Sequence, residues 1–121
     1  MPIKIIKEKI SKEELKKLAK ESFGDMFKIV VDIEKKVLAA GGELHADAVK
    51  LLLDEKSEGK NLWGANFYPF KPIEKRIEYN ALINIRPEQN NRKMEIGDEK
   101  ICNKIKRIVE DLLLSPSEQI A

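Results

Sequence analysis

The chain has 121 residues, of which 42% are hydrophobic and 36% charged, so it is long and apolar enough for one domain with a sizeable core rather than a disordered segment. Its 23 basic and 21 acidic residues leave a net charge of +2, which gives no strong attraction to nucleic acid or membrane surfaces. The single cysteine, Cys102, excludes an intrachain disulfide and a metal site built of cysteines alone.

The N-terminal part predicts a strand and then a helix. Residues 3–7 (IKIIK) are short and rich in β-branched side chains, which favours a strand. Ser11 and Glu14 match the capping box that opens a helix, because each side chain can bond a free backbone N–H group. Gly24 is placed to end this helix, since glycine tolerates the left-handed conformation there.

The next stretch predicts a β-hairpin. In residues 27–34 (FKIVVDIE), Phe27, Ile29, Val31 and Ile33 share one side and Lys28 lies on the other, which predicts a strand. Residues 37–40 (VLAA) predict its partner across a short polar turn. The Gly-Gly pair that follows breaks or bends the second strand.

A helix with an apolar stripe follows the glycines. It begins either at Glu43 or at Asp47, where the aspartate would act as an N-cap. After a polar turn, residues 62–68 (LWGANFY) predict another strand with Trp63 on its buried side. Gly64 in this strand indicates a close approach of another segment or a bulge.

The C-terminal part shows the clearest alternation of the chain. Residues 77–86 (IEYNALINIR) predict a strand, and residues 87–97 predict a polar loop. Asp98 is placed to cap a final helix, and Pro116 to stop it. We expect residues 115–121 to be a frayed tail after a single α+β domain of residues 1–114.

These elements follow the order β-α-β-β-α-β-β-α. They predict an α+β fold with a mainly antiparallel sheet of four to five strands and three helices on one face. The other face would then be open, with polar residues such as Asp32, Asn66 and Asn80 beside the apolar Val30 and Leu82. Apolar residues on an open face favour a partner, and we predict a homodimer through this surface.

The first candidate site surrounds the only histidine, His45. In a helix, Glu43 and Asp47 would share a face and His45 would point away; in an extended segment, Glu43 and His45 would share a face. In the extended form His45 would act as a general base with an acidic neighbour, or hold a metal with Asp32 or Asp25. The alternative is that Asp47 is an N-cap and His45 is hydrogen-bonded locally. A lone histidine is not a metal motif.

The second candidate site is a cluster of hydrogen-bond donors. Asn84, Arg86, Asn91 and Arg92 lie within nine residues, and Pro87 fixes the chain as it leaves the predicted strand. The planar fork of arginine suits carboxylates and phosphates, so the cluster predicts binding of an anion, a nucleotide phosphate or an acidic partner. The alternative is a solvated loop whose arginines pair with neighbouring glutamates.

Four segments resemble a small prokaryotic family described as a domain of unknown function: FGDMFKIVVDIE, GGELHADA, LWG and NIRP with the Asn91–Arg92 pair. The resemblance covers nearly the whole chain and implies a free-standing domain. It carries over no catalytic residue, cofactor or partner. It points to the polar positions of these segments, which are Asp25, Asp32, Glu43, His45, Asp47, Asn84, Arg86, Asn91 and Arg92.

Two functions follow from these patterns. The first is a binding domain that recognises an anionic group or an acidic partner through Arg86 and Arg92. The alternative is a small hydrolase or phosphoesterase-like enzyme in which His45 works with Asp32, Glu43 or Asp47, and the cofactor stays open. Nucleic acid is disfavoured because glycine-rich phosphate loops are absent and aromatic residues are few. With no apolar run of about 18 residues and no signal peptide, we expect a cytoplasmic protein.

Overall fold

The computed structural model describes residues 1–120, which form a five-stranded sheet and three α-helices. The strands are β1 Ile3–Ile6, β2 Phe27–Asp32, β3 Val37–Gly41, β4 Leu62–Phe67 and β5 Ile77–Glu78. The helices are α1 Lys12–Glu21, α2 His45–Asp54 and α3 Glu99–Leu112. The order across the sheet is β1-β3-β2-β4-β5, with every neighbouring pair antiparallel. The predicted α+β class with an antiparallel sheet is therefore confirmed.

The central strand, β2, explains why the sheet forms around the predicted hairpin. Val31 of β2 lies opposite Leu38 of β3 on one side and opposite Trp63 of β4 on the other. All three side chains are buried. The register therefore places the most apolar stretch of the chain between two strands, where its backbone is paired on both edges.

The helices cover both faces of the sheet, so the prediction of three helices on one face is wrong. Ile29 and Val31 join the larger core cluster, which contains residues of α1 and α3. Val30 and Ala39 point to the opposite face, where they pack with Ala48 of α2 in a second cluster. The physical reason is that β2 and β3 carry apolar residues at consecutive positions, so each face of the sheet has a hydrophobic surface to bury.

The predicted long strand over residues 77–86 is also wrong in its extent. Only Ile77–Glu78 pairs with β4, and a single bridge between Asn80 and Glu95 continues the contact within the loop. The chain then turns through a 3₁₀ helix at Leu82–Asn84. Asparagines favour turns because their side chains replace backbone hydrogen bonds, which ends the strand despite its alternating pattern.

The helix ends match the capping predictions in part. Ser11 accepts a hydrogen bond from a backbone N–H group of the first turn of α1 at 3.1 Å, and Asp98 does the same for α3 at 2.8 Å. The second helix begins at neither predicted residue, because Leu44 is its N-cap and His45 its first residue, so Glu43 precedes it and Asp47 lies in its first turn. None of the helices within residues 1–120 combines the length and apolarity that crossing a bilayer requires.

The segment predicted to fray, residues 115–121, is held against the domain up to Ile120, and residue 121 lies outside the described part of the chain. The buried Arg76 donates hydrogen bonds to the carbonyl oxygens of Ser115 at 3.2 Å and Glu118 at 2.6 Å. The Glu118 carboxylate accepts from the Ser115 N–H group and pairs with Lys9. These contacts dock the tail.

Candidate binding site

Asn84, predicted as a ligand donor, is fully buried and bonded to the backbone of β4. Its Oδ1 accepts a hydrogen bond from the Gly64 N–H group at 2.8 Å, and its Nδ2 donates to the Gly64 carbonyl at 2.9 Å. Nδ2 also donates to the Met94 carbonyl at 3.0 Å. The side-chain amide has the same kinds of donor and acceptor as a peptide group. Asn84 therefore takes the place of a neighbouring strand at Gly64, on the edge of β4 that faces away from β2.

Arg86 is held in a similar way beside the same edge. Its guanidinium donates to the carbonyl oxygens of Leu62, Ile83 at 3.1 Å and Gly59 at 3.0 Å. It also lies 4.4 Å from the centre of the Trp63 ring, in range of a cation–π interaction. Burial lowers the pKa of Arg86 from its ordinary value. The donors that would bind an anion are therefore shared among backbone oxygens and an aromatic ring.

The other two members of the predicted cluster differ in exposure. Asn91 is buried, and its amide bonds only to the backbone of the surrounding loop, at Asn84, Lys93, Glu95 and Gly97. Arg92 is exposed to solvent. The structure thus brings Asn84, Arg86 and Asn91 together as supports of one loop, whereas the exposed Arg92 side chain makes no hydrogen bond or ion pair within residues 1–120.

Asp32, from the predicted catalytic set, supports the hairpin turn. Its Oδ1 accepts hydrogen bonds from the N–H groups of Glu34 at 3.0 Å and Lys35 at 2.9 Å. Its Oδ2 accepts from the Ser57 hydroxyl at 2.6 Å. Asp32 lies at the far end of β2 from Lys28, the residue of that strand that lies beside His45, so the structure does not bring Asp32 to His45.

The remaining carboxylates of the set are also apart from the histidine ring. Glu43, Asp47 and Asp25 are exposed, and among residues 1–120 none of them hydrogen-bonds to His45. Within the same described residues, no group of three or more His, Cys, Asp or Glu side chains is placed to hold a metal ion. The predicted acid–base set is therefore not assembled around His45.

His45 itself is positioned by the sheet. Its Nε2 lies 2.8 Å from the Ala65 carbonyl oxygen, which only accepts, so Nε2 carries the hydrogen. The ring fits because Gly64 has no side chain: a Cβ there would lie 3.1 Å from His45 Cδ2 and 2.6 Å from the Cβ of Ala81. Burial lowers the pKa of His45 below its ordinary value; the bond to Ala65 opposes this shift and the charge of Lys28 adds to it.

A cleft of about 520 Å³ opens beside this ring, between the start of α2, the sheet and the loop after β5. Its walls include three exposed apolar side chains, Leu44, Leu82 and Met94, which are 59%, 70% and 43% exposed. Apolar side chains with this exposure around a concave surface are typical of a site that receives a ligand or partner.

Two of the polar groups of the cleft come from the sheet. Lys28 of β2 and Asn66 of β4 are directly opposite each other in the strand register. Lys28 has no acidic partner in an ion pair within residues 1–120, and its Nζ lies 5.8 Å from the Phe23 ring. The amide nitrogen of Asn66 donates to Glu78 at 2.7 Å. The cleft therefore contains one unpaired cation among amides and apolar walls.

Sequence reasoning identified part of this site and missed the rest. Asn66, Asn80 and Leu82 were expected on the open face, and all three line the cleft. Lys28 was expected to point away from the main core, but nothing in its local pattern marked it as the cation of a site. The signal that would have found it is the pairing of β2 with β4, which puts Lys28 beside Asn66.

Comparisons with known proteins agree with the resemblance noted in the sequence. No curated protein matches the chain. No solved structure matches it either. One family, described as "Protein of unknown function (DUF5674)", matches residues 4–112, which include the His45 cleft, all three helices and the sheet apart from Ile3. The chain therefore belongs to the DUF5674 family.

Proposed function

We propose that this protein is a binding domain whose ligand lies in the cleft beside His45 and places an anionic group against Lys28. The observation that carries the proposal is the environment of Lys28, a cation without an acidic partner in residues 1–120 that lines a mainly apolar cleft. The proposal keeps the expected recognition of an anion. It moves the cation from Arg86, whose donors are bonded to backbone oxygens, to Lys28.

The start of α2 supports the same location for the anion. Leu44 is the N-cap and offers no side-chain hydrogen bond, so the first N–H groups of α2 have no side-chain partner at the cap. Both Leu44 and Ala46 line the cleft. Free N–H groups and the helix dipole favour negative charge at this end, and they act together with Lys28.

The apolar walls of the cleft indicate that the rest of the ligand is apolar. Burial of apolar surface stabilises a complex by roughly 25 cal/mol per Å². Leu44, Leu82 and Met94 would lose contact with water when an apolar group fills the cleft. An attraction between opposite charges is also stronger in such a setting than in bulk water. We therefore expect an amphipathic ligand with one anionic end.

An NMR titration of the ¹⁵N-labelled domain tests this function. We expect 4-phenylbutyrate to shift the backbone signals of residues that line the cleft, and the neutral 4-phenylbutan-1-ol to bind at least about tenfold more weakly, since a hydrogen bond to a charged group is worth ~1.5 kcal/mol or more. Lys28→Met should remove this preference for the carboxylate. Lys28→Arg, which keeps the charge, should restore most of it.

Lys106→Met is the matched control, because Lys106 lies on α3 and lines a separate cleft. It removes the same charge from the protein and should leave binding of 4-phenylbutyrate unchanged. Equal binding of the acid and the alcohol, or equal effects of the two lysine substitutions, would contradict the proposal.

We also propose a cytoplasmic location and self-association, which the sequence predicted. The location rests on the chain's one cysteine, Cys102, which suits a reducing compartment. A homodimer would use the exposed apolar surface at Leu82, which lies in the 3₁₀ helix after β5 beside the cleft. Light scattering with and without 4-phenylbutyrate tests the dimer, because a ligand in the cleft should shift the monomer–dimer equilibrium. A molecular mass that stays monomeric at every concentration would contradict self-association.

A further inference from the structure

The two nitrogens of the His45 ring have different roles. Nε2 donates its hydrogen to the Ala65 carbonyl at 2.8 Å, which fixes the tautomer of the neutral ring. Nδ1 then has a lone pair and no hydrogen. Among residues 1–120, Nδ1 has no hydrogen-bond partner. It remains accessible to solvent.

The surroundings of His45 favour this neutral form. The side chain is 8% exposed, and its burial lowers the pKa, an effect to which the charge of Lys28 adds. His45 lines the cleft together with Lys28 and Asn66. An accessible acceptor without a protein partner can receive a hydrogen bond from a donor on a ligand.

We infer that the ligand of this cleft carries an N–H or O–H donor next to its anionic group, with the anion at Lys28 and the α2 N-terminus and the donor at His45 Nδ1. The inference rests on the function proposed above and names its ligand class. An amide N–H next to a carboxylate, with an apolar side chain, meets all three features of the cleft. This chemistry belongs to an N-acylated apolar amino acid and to the carboxyl-terminal residue of a peptide.

Three related probes test the inference on the intact domain by calorimetry or NMR titration. N-acetyl-L-leucine has the donor, the carboxylate and the apolar side chain. N-acetyl-N-methyl-L-leucine lacks the donor, and N-acetyl-L-leucinamide lacks the carboxylate. We expect each loss to weaken binding about tenfold, the usual effect of one hydrogen bond or charge contact. A tripeptide that ends in leucine separates the two sources of this chemistry. If the site is specific for peptides, the tripeptide should bind more tightly than N-acetyl-L-leucine. If the site takes a small molecule, the two should bind equally well.

Two variants separate recognition by His45 from a general effect on the cleft. His45→Phe keeps a ring and removes both nitrogens, so the preference for N–H over N–CH₃ should disappear; a folded-state NMR spectrum confirms that the domain is intact. His45→Gln, whose amide can donate to Ala65 and also accept, should retain part of the preference. Leu82→Ala, which shortens an apolar wall of the cleft, should weaken all three probes and leave their ratios unchanged.

The outcomes distinguish this inference from the proposed function. If 4-phenylbutyrate binds through Lys28 while N-acetyl-L-leucine fails to bind, or binds no better than its N-methyl analogue, the inference is overturned and the proposed function stands. Uptake of about one proton on binding, measured in buffers of different ionisation enthalpy, would show a protonated His45 that donates to the ligand, and would also overturn it. If neither 4-phenylbutyrate nor N-acetyl-L-leucine binds, the proposed function is lost.

Discussion

Asn84 allows the clearest test of a single side chain, because its amide satisfies both backbone groups of Gly64. Asn84→Ala leaves a buried N–H group and a buried carbonyl without partners, and we expect the free energy of unfolding to fall by about 3 kcal/mol. Urea denaturation measures this change. Asn80→Ala is the control, since the Asn80 side chain lines the cleft and makes no hydrogen bond within residues 1–120. A cost below ~1 kcal/mol for Asn84→Ala would contradict the assigned role.

Gly64 allows a second test at the same place. A Cβ at this position would lie 2.6 Å from the Cβ of Ala81 and 3.1 Å from His45 Cδ2, so Gly64→Ala should destabilise the domain by about 1–3 kcal/mol. Gly59→Ala is the matched control, because nothing lies within 4 Å of a Cβ added there. Urea denaturation compares the two. Adding Ala81→Gly to Gly64→Ala should recover part of the loss, and a double variant no better than Gly64→Ala would argue against the clash.

His45, Asn84 and Arg86 could be singled out from the sequence because polar side chains stood out in apolar or proline-bounded stretches. Their partners could not. Each of the three bonds to backbone carbonyls of β4, which carry no side-chain signature in a sequence. The sequence patterns therefore identified polar residues that make specific contacts. They left open whether those contacts stabilise the fold or bind a ligand.

At the scale of elements, the outer edge of β4 shows where the alternation rule failed. Residues 77–86 alternate as a strand does, yet backbone pairing with β4 stops after Glu78, and side chains of the following loop bond to the β4 backbone instead. Alternation reports which side chains face the core and carries no information on what pairs with the backbone. β2, β3 and β4 were predicted within two residues of their observed ends because turn residues bound them on both sides.

The role of Arg86 at this edge can be tested against the predicted role in anion binding. Arg86→Lys loses the planar fork that reaches Leu62, Ile83 and Gly59 together, and we expect a loss of about 1–2 kcal/mol in unfolding free energy. Arg92→Lys, at an exposed position, should cost under ~0.5 kcal/mol. Thermal unfolding with added phosphate completes the test: stabilisation of the wild type by phosphate that Arg86→Lys abolishes would support an anion site there instead.

At the scale of the molecule, the sheet has helices on both faces, with α1 and α3 on one and α2 on the other. The helices themselves were predictable, since each carries one apolar stripe. Their distribution was hard to predict, because α2 has an apolar stripe of the same kind as the other two. This distribution could have been inferred from β2, where Ile29, Val30 and Val31 are all buried, so that both faces of the strand have an apolar residue to cover.

The stability of the whole domain should depend on pH in two separate windows. The pKa of His45 is lowered from 6.5, so below that pH the unfolded chain takes up a proton that the folded state resists, and stability falls as the pH decreases. The contact with Lys9 lowers the pKa of Glu118 from 4.5 to about 2, so its contribution is present above pH 4.5 and lost between 4.5 and about 2.

Urea midpoints measured across pH test both windows. The difference in midpoint between wild type and His45→Gln should change only below pH 6.5. The difference between wild type and Glu118→Gln should change only below pH 4.5 and level off near about 2. If the difference in urea midpoint between wild type and a variant stays constant across the pH range given for that residue, the residue does not cause the pH dependence of stability.

The outer edge of β4, where Asn84 and Arg86 bond to the backbone, has a consequence for how chains of this protein can polymerise. An unpaired strand edge is a template on which another chain can add, and repeated addition leads to fibrils. Along β4 that template is blocked by Asn84 and Arg86, whereas β1, at the opposite end of the sheet, offers a short stretch that carries Lys4. Substitutions at Asn84 or Arg86 would therefore open a second growing edge at residues 62–65, which carries no charged side chain. Such variants should precipitate from solution even under conditions in which most molecules are still folded.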